Sequence, residues 1–268
     1  MLRSNSLIKT LRNLIKRVYG KTIRLTTPNG SSRKIRYGFL KGEKWIISSG
    51  YSQYWMGSYE PEITEKFVEY AKKSTVIYDI GSHIGYYTLL ASRYAIPGGK
   101  IFSFEPLPEN LQKLKNHVEI NKRLNTVIIE KAVSFKTGEA LFTNSDNSVA
   151  NSICENSPMF QFGKTIEVKT TSLDDLLLNG FLLPPQLIKM DIEGAEFDAL
   201  RGAEVLLKKY HPAIFLSTHN CQNTGVHKKC CDFLVNMGYS LSYFSFYERK
   251  TDFDDPWYDV LAEFIENE

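Results

Sequence analysis

The chain has 268 residues, 43% of them hydrophobic, which is enough for one large domain with a sizeable core or for a domain with an appendage. No apolar run approaches the roughly 20 residues that a membrane-spanning helix needs, and no secretory signal pattern opens the chain, so neither class of protein is expected. The four cysteines, Cys154, Cys221, Cys230 and Cys231, provide no disulfide framework for a chain of this length, which favours a reducing cytoplasm.

Positive charge is concentrated in the first 58 residues, where twelve lysines and arginines stand against the single acid Glu43. Within residues 1–21, apolar side chains recur at helical spacing with basic side chains between them, which predicts a basic amphipathic helix. Three interpretations of this helix stay open: docking on the domain or on a sister subunit of a homo-oligomer, peripheral contact with the inner face of an anionic membrane, and contact with nucleic acid.

Three short segments after this helix alternate between apolar and polar residues, which predicts a small antiparallel β unit. These segments are 23–27, 33–39 and 45–48. The charge asymmetry marks residues 1–58 as a separate unit and leaves residues 59–268 as the second domain. That domain opens with a helix that begins near Pro61 and ends near Lys73.

From residue 75 onward, segments with a strand pattern alternate with segments with a helical pattern. The predicted strands are 76–80, 100–104, 126–130, 140–143, 166–170, 187–190 and 213–218. The predicted helices are 85–95, 108–121, 173–178, 195–209 and 225–237. A polar loop is predicted over 144–164, and a closing hairpin over 239–246 and 257–265. The repeated βα units imply an α/β fold whose sheet is doubly wound and mostly parallel, with helices on both faces.

The first βα unit carries the most informative motif. Its apolar strand contains Asp79, its turn contains Gly81 and Gly85, and its helix begins at once. The glycines allow a tight turn and a close approach of a ligand, and the helix N-terminus directs backbone N–H groups over the edge of the sheet. Glu105 closes the next strand, where its carboxylate can reach the hydroxyls of a ribose.

Asp79 favours a cationic nucleoside over a dinucleotide. The full Gly-x-Gly-x-x-Gly fingerprint is missing from this turn, and a carboxylate at the place of the phosphate turn repels a pyrophosphate. S-adenosylmethionine suits the site, because it carries an amino group and a sulfonium and no phosphate. An ordinary strand–turn–helix without a ligand is the alternative, and Asp79 disfavours an NAD-linked oxidoreductase.

Polar residues at the ends of two further strands are candidates for the chemistry. Asp191 and Glu193 follow one apolar strand, and His219 follows the next. Because the carboxyl ends of parallel strands share one edge of a sheet, we expect these side chains to face one cleft. His219 can take a proton from a hydroxyl near neutral pH, and Asp191 can orient its ring. In the alternative interpretation, Asp191 and Glu196 are acids that stabilise the start of the following helix.

Two metal sites are conceivable, and neither is adopted. A zinc site would use residues that cluster in the sequence, which are His219, Cys221, His227, Cys230 and Cys231. The spacing of the apolar residues around Cys230 indicates one face of a helix, so the cysteines are predicted to belong to the core. A Mg²⁺ site at Asp191, His219 and Asn220 has no more support, and no metal is assigned.

Five blocks of the sequence together resemble the FkbM family of S-adenosylmethionine-dependent methyltransferases. They are Asp79-Ile-Gly-Ser-His-Ile-Gly-Tyr-Tyr-Thr, Phe104-Glu105-Pro106, Lys131-Ala132-Val133-Ser134, Thr171-Ser172-Leu173-Asp174 and Lys189-Met-Asp-Ile-Glu-Gly-Ala-Glu196. The resemblance extends from about Trp55 to His219 and through the helix that follows. It implies a Rossmann-like fold of the class I methyltransferase type, with a seven-stranded sheet.

The resemblance also implies roles for the matched positions. Asp79, Gly81 and Gly85 would surround the methionine part of the cofactor, Glu105 would bind its ribose, and Ala132 would lie near its adenine. His83 departs from the family pattern, in which asparagine is usual at that position. The full set of implied cofactor-binding residues is Glu60, Asp79, Gly81, His83, Gly85, Glu105, Pro106, Ala132 and Asp191.

Together these features predict an O-methyltransferase that uses S-adenosylmethionine to methylate a hydroxyl of a sugar, a glycan, a glycolipid or a secondary metabolite. His219, Asp191 and Glu193 are the predicted catalytic residues, with His219 as the general base and Asp191 as its orienting partner or as an alternative base. The predicted acceptor-binding residues are Tyr54, Trp55, Tyr59, Asn151 and Ser152. A nucleic-acid methyltransferase that uses the basic N-terminal segment and a catalytically silent, membrane-docked binding protein are the alternatives.

Overall fold

A computed structural model describes residues 28, 30–47, 49–144, 164–220, 223–248 and 256–265 of the chain. The predicted amphipathic helix over 1–21 and the strand at 23–27 lie outside these residues. The chain divides into two compact units, Met1–Thr64 and Glu65–Glu268, so the division predicted after residue 58 falls inside the first unit. Within the described residues, no helix is both long enough and apolar enough to cross a membrane.

The described part of the first unit contains one antiparallel strand pair and a short helix. Strands β1 (Ser32–Lys34) and β2 (Lys44–Ile46) pair in antiparallel register, and helix α1 covers Ser52–Met56. Trp45 from β2 is fully buried. Gly57 ends α1 in the left-handed region, and a Cβ there would lie 1.9 Å from the backbone oxygen of Tyr37, so only glycine fits this contact.

Strands and helices alternate through the second unit. Helix α2 (Pro61–Ala71) begins in the last residues of the first unit and ends in the second. The strands are β3 (Val76–Ile80), β4 (Lys100–Phe104), β5 (Thr126–Ile129), β6 (Ala132–Val133), β7 (Gly138–Asn144), β8 (Lys164–Thr171), β9 (Leu187–Asp191), β10 (Ala213–His219), β11 (Tyr239–Glu248) and β12 (Pro256–Phe264). The helices are α3 (Tyr86–Tyr94), α4 (Pro108–Ile120), α5 (Leu173–Leu178), α6 (Glu196–Arg201), α7 (Glu204–Tyr210) and α8 (Val226–Asn236).

The central sheet has seven strands in the order β5-β4-β3-β9-β10-β12-β11. The five strands from β5 to β10 run parallel, and β12 and β11 close one edge as an antiparallel hairpin. A smaller sheet has the strand order β6-β8-β7, and its strands lie between β5 and β9 along the chain. This architecture confirms the predicted α/β class with a mostly parallel, seven-stranded sheet.

Alternating residues of the sheet pack against helices on opposite faces. Ile188 and Ile214 belong to an apolar cluster that also contains Leu207 from α7 and Leu234 from α8. Phe215, the next residue on β10, points the other way, and its ring lies 5.5 Å from that of Phe67 on α2. Burial on both faces explains why the parallel strands read as nearly continuous apolar runs.

The single helix predicted over 195–209 is wrong, because the chain forms two helices that meet at Gly202. A Cβ at Gly202 would lie 2.2 Å from the backbone oxygen of Ser134, so the position that ends α6 requires glycine. The carboxylate of Asp174 accepts the backbone N–H groups of Val205 and Leu206 and caps the second helix. Contacts from distant segments therefore override the local helical pattern.

Candidate functional site

Strand register brings the predicted site residues to one edge of the sheet. Ile80 pairs with Phe104 and with Met190, and Ser217 pairs with Asp191, so β3, β4, β9 and β10 end side by side. The backbone N–H groups of Gly81 and Ser82 both donate to the carbonyl of Phe104, at 3.0 and 2.9 Å. The turn after β3 is thereby fixed to the end of β4, close to Glu105.

Asp79 lies buried beneath this turn. Its Oδ2 accepts a hydrogen bond of 2.5 Å from the hydroxyl of Thr88 on α3, and its backbone carbonyl accepts one from Ser82. Burial raises the pKa of Asp79 to about 6, because the charged form loses its hydration, and the hydroxyl of Thr88 and the charge of Lys189 limit the rise. The carboxylate is therefore largely ionised at neutral pH and offers negative charge to a cationic ligand.

Glu105 gathers the polar groups at the end of β4. Its Oε2 accepts a hydrogen bond from the backbone N–H of His83 at 2.9 Å. Its Oε1 accepts one from the backbone N–H of Leu107 at 3.0 Å and one from the side-chain amide of Asn110 at 3.3 Å. Burial raises the pKa of Glu105 to about 7, even though these hydrogen bonds favour the ionised form. The carboxylate thus ties the loop after β3 to helix α4.

Two buried polar atoms beside Glu105 have no hydrogen-bond partner among the described residues: Nε2 of His83 and Oδ1 of Asn110. Burial lowers the pKa of His83 to about 4, so its ring is neutral near pH 7, and its backbone adopts a φ of 50°. Buried polar atoms in native proteins are nearly always satisfied. These two therefore mark places where a bound molecule would complete the hydrogen bonding.

Ala132 and Pro106 lie on the apolar side of this region. Ala132 is buried on β6 in a cluster with Leu107, Phe142 and Val168, and Pro106 is half-buried after Glu105. The cluster places apolar side chains next to the polar groups around Glu105, a combination that suits a flat ring attached to a polar sugar.

Lys189 lies inside the sheet at 1% exposure and was not singled out from the sequence. Its ammonium contacts Oδ2 of Asp191 at 3.3 Å and the hydroxyl of Ser217 at 3.0 Å, and Ser217 donates in turn to Asp259 at 2.7 Å. The ring of Tyr87 lies 5.1 Å from the same ammonium. A buried lysine needs such partners. Here its ammonium also holds the carboxylate of Asp191 in place.

His219 stands at the end of β10 among three carboxylates. Its Nε2 lies 3.5 Å from Oδ1 of Asp191 and 3.7 Å from Oε2 of Glu193. Its Nδ1 lies 2.9 Å from Oε1 of Glu196. The three predicted catalytic residues are thus brought together, and the orienting hydrogen bond comes from Glu196 rather than from Asp191.

The charges of this cluster reinforce one another. Burial alone would lower the pKa of His219, but Glu193, Glu196 and Asp191 outweigh it and raise the pKa well above its usual value. Burial alone would raise the pKa of Asp191, but Lys189 and His219 outweigh it and leave the pKa below its usual value. Both shifts favour the charged forms of the two side chains in the protein without ligands.

A cation is a second species that this cluster could hold. One ligand atom each from Asp191, Glu193 and His219 lies within 4.8 Å of the other two, which is a spacing that a divalent metal ion fits. Of the residues named for a zinc site, Cys230 is instead buried in the core of the second unit, as predicted.

The remaining predicted site residues lie elsewhere in the chain. Tyr54 and Tyr59 pack together within the first unit, with ring centres 4.5 Å apart, and Trp55 is buried beside Tyr54 on α1. Glu60 belongs to the same unit and has a φ of 39°. Asn151 and Ser152 lie outside the described residues, so their assignment to the acceptor site stays a prediction.

Comparison with known proteins gives one family and several similar chains. The Methyltransferase FkbM domain model matches residues 79–241. The hexuronic acid methyltransferase AglP of Haloferax volcanii is 28% identical over 151 residues, which cover 53% of this chain and 56% of that protein. The chain thus matches little more than half the length of this relative.

Among the solved structures, two similar chains have low sequence identity to this one. Methyltransferase FkbM from Methylobacillus flagellatus has a TM-score of 0.48 and 19% identity, covering 71% of this chain and 43% of that one. Cofactor-bound Rv0187 from MTB has a TM-score of 0.48 and 12% identity, covering 76% and 80%. Because the family model spans more than half of the sequence, the chain belongs to the FkbM methyltransferase family.

Proposed function

We propose that the chain transfers the methyl group of S-adenosylmethionine to a hydroxyl of a sugar, a glycan, a glycolipid or a secondary metabolite. The observation that carries this proposal is the pairing of two sites at one sheet edge. The buried carboxylates of Asp79 and Glu105 lie near the end of β3 and directly after β4. The His219 cluster lies at the ends of β9 and β10. One half suits a cationic nucleoside, and the other suits removal of a proton.

The residues around β3 and β4 fit S-adenosylmethionine. Asp79 offers negative charge for its amino group, and Glu105 offers carboxylate oxygens for its ribose hydroxyls. The unpartnered Nε2 of His83 and Oδ1 of Asn110 offer further polar contacts, and the apolar surface around Ala132 offers a place for the adenine. We assign Gly81, Gly85, Pro106 and Asp191 to the same site, and the role of Glu60 stays a prediction from the sequence.

When bound, the cofactor supplies an activated methyl group, whose carbon bonds to the acceptor oxygen while the electron pair of the C–S bond stays on sulfur. The chain must hold the acceptor in line and remove its proton. We assign the proton to Nε2 of His219, with Asp191 and Glu193 beside it to stabilise the imidazolium that forms. Because the carboxylates raise the pKa of His219, this base is strong, and its neutral form becomes more populated as the pH rises.

The acidic cluster favours a hydroxyl acceptor over a carboxylate acceptor. AglP is named for hexuronic acid, a sugar that carries both kinds of oxygen. A carboxylate needs no base, and it would meet the negative charges of Asp191, Glu193 and Glu196. A hydroxyl needs a base and brings no charge. We therefore propose an ether product. The assignment of Tyr54, Trp55, Tyr59, Asn151 and Ser152 to acceptor binding stays a prediction from the sequence.

The cellular setting is also a proposal. The cysteine usage of the sequence supports a cytoplasmic location, and the basic residues within 1–21 support a peripheral contact with the inner face of an anionic membrane or with a sister subunit. The acidic His219 cluster disfavours nucleic acid as the acceptor, because a phosphate backbone would be repelled there.

The chemical stability of the product tests the proposed acceptor group. With methyl-tritiated S-adenosylmethionine and oligosaccharides that contain hexose or hexuronate, we expect the transferred label to survive mild alkali, as methyl ethers do. A synthetic methyl ester of a hexuronate, treated in the same way, should release its label as methanol. Release of the enzymatic label under these conditions would show an ester and overturn the assignment of a hydroxyl.

A further inference from the structure

Glu196 is the most deeply buried carboxylate of the His219 cluster, at 0% exposure. It is the first residue of α6, and its Oε1 lies 2.9 Å from Nδ1 of His219. The same oxygen accepts the backbone N–H of Gly194 at 2.9 Å. Burying an ionisable group so completely is costly unless specific partners hold it. Here both contacts fall on Oε1, one of them from the proposed base, and Oε2 has no hydrogen-bond partner among the described residues.

We propose that Glu196 is the positioning residue of the reaction. It keeps the single N–H proton of the neutral His219 ring on Nδ1 and directs the free Nε2 toward the acceptor. This inference rests on the proposed function, because it gives Glu196 a role only through His219. A carboxylate that accepts from one ring nitrogen leaves the lone pair of the neutral ring on the other nitrogen. The buried acid also stabilises the imidazolium that the reaction creates.

The other charged groups around the ring are placed for different tasks. Asp191, at the end of β9, faces Nε2 and is held from behind by Lys189. Glu193, in the turn before α6, also faces Nε2. Both contact Nε2, the nitrogen assigned to the acceptor proton, so neither is placed to fix the Nδ1 proton. Only Glu196, among the described carboxylates that contact the ring, lies on the Nδ1 side.

The backbone around Glu193 explains how Glu196 reaches the ring. Glu193 and Gly194 both have positive φ angles, of 54° and 101°, so the chain turns sharply between β9 and α6. The carbonyl of Gly194 accepts from the side chain of Asn223 at 2.8 Å. This turn sends Glu193 and Glu196 to opposite sides of the same imidazole, although only three positions separate them in the chain.

The substitution Glu196→Gln tests this role. The amide keeps the shape of the side chain but weakens the Nδ1 contact and removes one of the charges that raise the pKa of His219. We expect kcat to fall roughly 10- to 1,000-fold at alkaline pH, and the midpoint of the kcat–pH profile to move about one pH unit lower. The affinity for S-adenosylmethionine should stay unchanged. A purely structural role would lower the folded fraction without moving that midpoint.

Asp198→Asn is the matched control, because Asp198 lies on the same helix, is exposed and pairs only loosely with Arg201, at 3.7 Å. It should change neither kcat nor the pH midpoint. If Glu196→Gln behaves like this control while His219→Ala is inactive, the positioning role of Glu196 is wrong and the base assignment stands. If His219→Ala is itself fully active, the proposed base fails instead.

Imidazole nitrogen NMR of the unsubstituted protein provides a second measurement, which does not depend on whether the variant folds. With ¹⁵N-labelled histidine and assignment by the His219→Ala spectrum, we expect the neutral ring of His219 at alkaline pH to carry its proton on Nδ1. A neutral ring with its proton on Nε2 would overturn the proposal, since that tautomer cannot accept the acceptor proton at Nε2.

Discussion

His219→Ala should abolish most turnover while leaving cofactor binding intact. The substitution removes the proposed proton acceptor, and general base catalysis of this kind contributes roughly 10²- to 10⁴-fold to a rate. We therefore expect kcat to fall by about that factor. The dissociation constant for S-adenosylmethionine should change little, because Asp79 and Glu105, which are assigned to the cofactor, lie on β3 and directly after β4, whereas His219 ends β10. Methyl transfer and calorimetric titration measure the two quantities separately.

The pH dependence of the wild-type reaction sharpens this test. Since the carboxylates raise the pKa of His219, the active neutral ring becomes populated only as the pH rises, and kcat should increase toward alkaline pH. The residual activity of His219→Ala should lack that rise. A variant that keeps wild-type kcat and the same profile would show that another group removes the proton.

Gly81→Ala should destabilise the second unit far more than an ordinary glycine substitution. Gly81 has a φ of 81°, and a Cβ at this position would lie 2.0 Å from the backbone oxygen of Asp191. The left-handed backbone costs an alanine about 1 kcal/mol, and separating two packed strand ends adds roughly 1–3 kcal/mol. We expect the free energy of unfolding to fall by about 2–4 kcal/mol, as measured by chemical denaturation.

Gly98→Ala isolates the backbone contribution. Gly98 has a similar φ of 85°, but nothing lies within 4 Å of the position that its Cβ would occupy. This variant should lose only about 1 kcal/mol. Equal losses for the two variants would mean that the turn after β3 does not press against the end of β9, contrary to the structure.

The sheet and most of its strand ends could be predicted because local patterns determine them. Apolar runs such as the one before Asp79 alternate with helical segments, and parallel strands leave their carboxyl ends at one edge. The sequence therefore predicts Asp191, Glu193 and His219 in one cleft, and the structure brings one ligand atom of each within 4.8 Å of the other two. The rule needs only the order of the elements, which the sequence contains.

Glu196 and Lys189 could not be assigned roles from the sequence, because their roles depend on distances between segments. The helix dipole already explains an acid in the first turn of a helix. No local pattern shows that the carboxylate of Glu196 contacts the ring of His219, which lies 23 positions further along the chain. Lys189 interrupts an apolar strand, which was the one available signal. A charged residue in such a run indicates a buried partner, but the sequence does not name it.

Binding of S-adenosylmethionine is the most direct test of the account, because the residues assigned to the cofactor and the proposed methyl transfer both require that the chain binds it. Calorimetric titration of the full chain should show one site per chain for S-adenosylmethionine, and no heat with NAD, whose pyrophosphate Asp79 would repel. Asp79→Asn should weaken the first titration, since it removes the charge assigned to the amino group. Saturable binding of NAD without binding of S-adenosylmethionine would contradict the account.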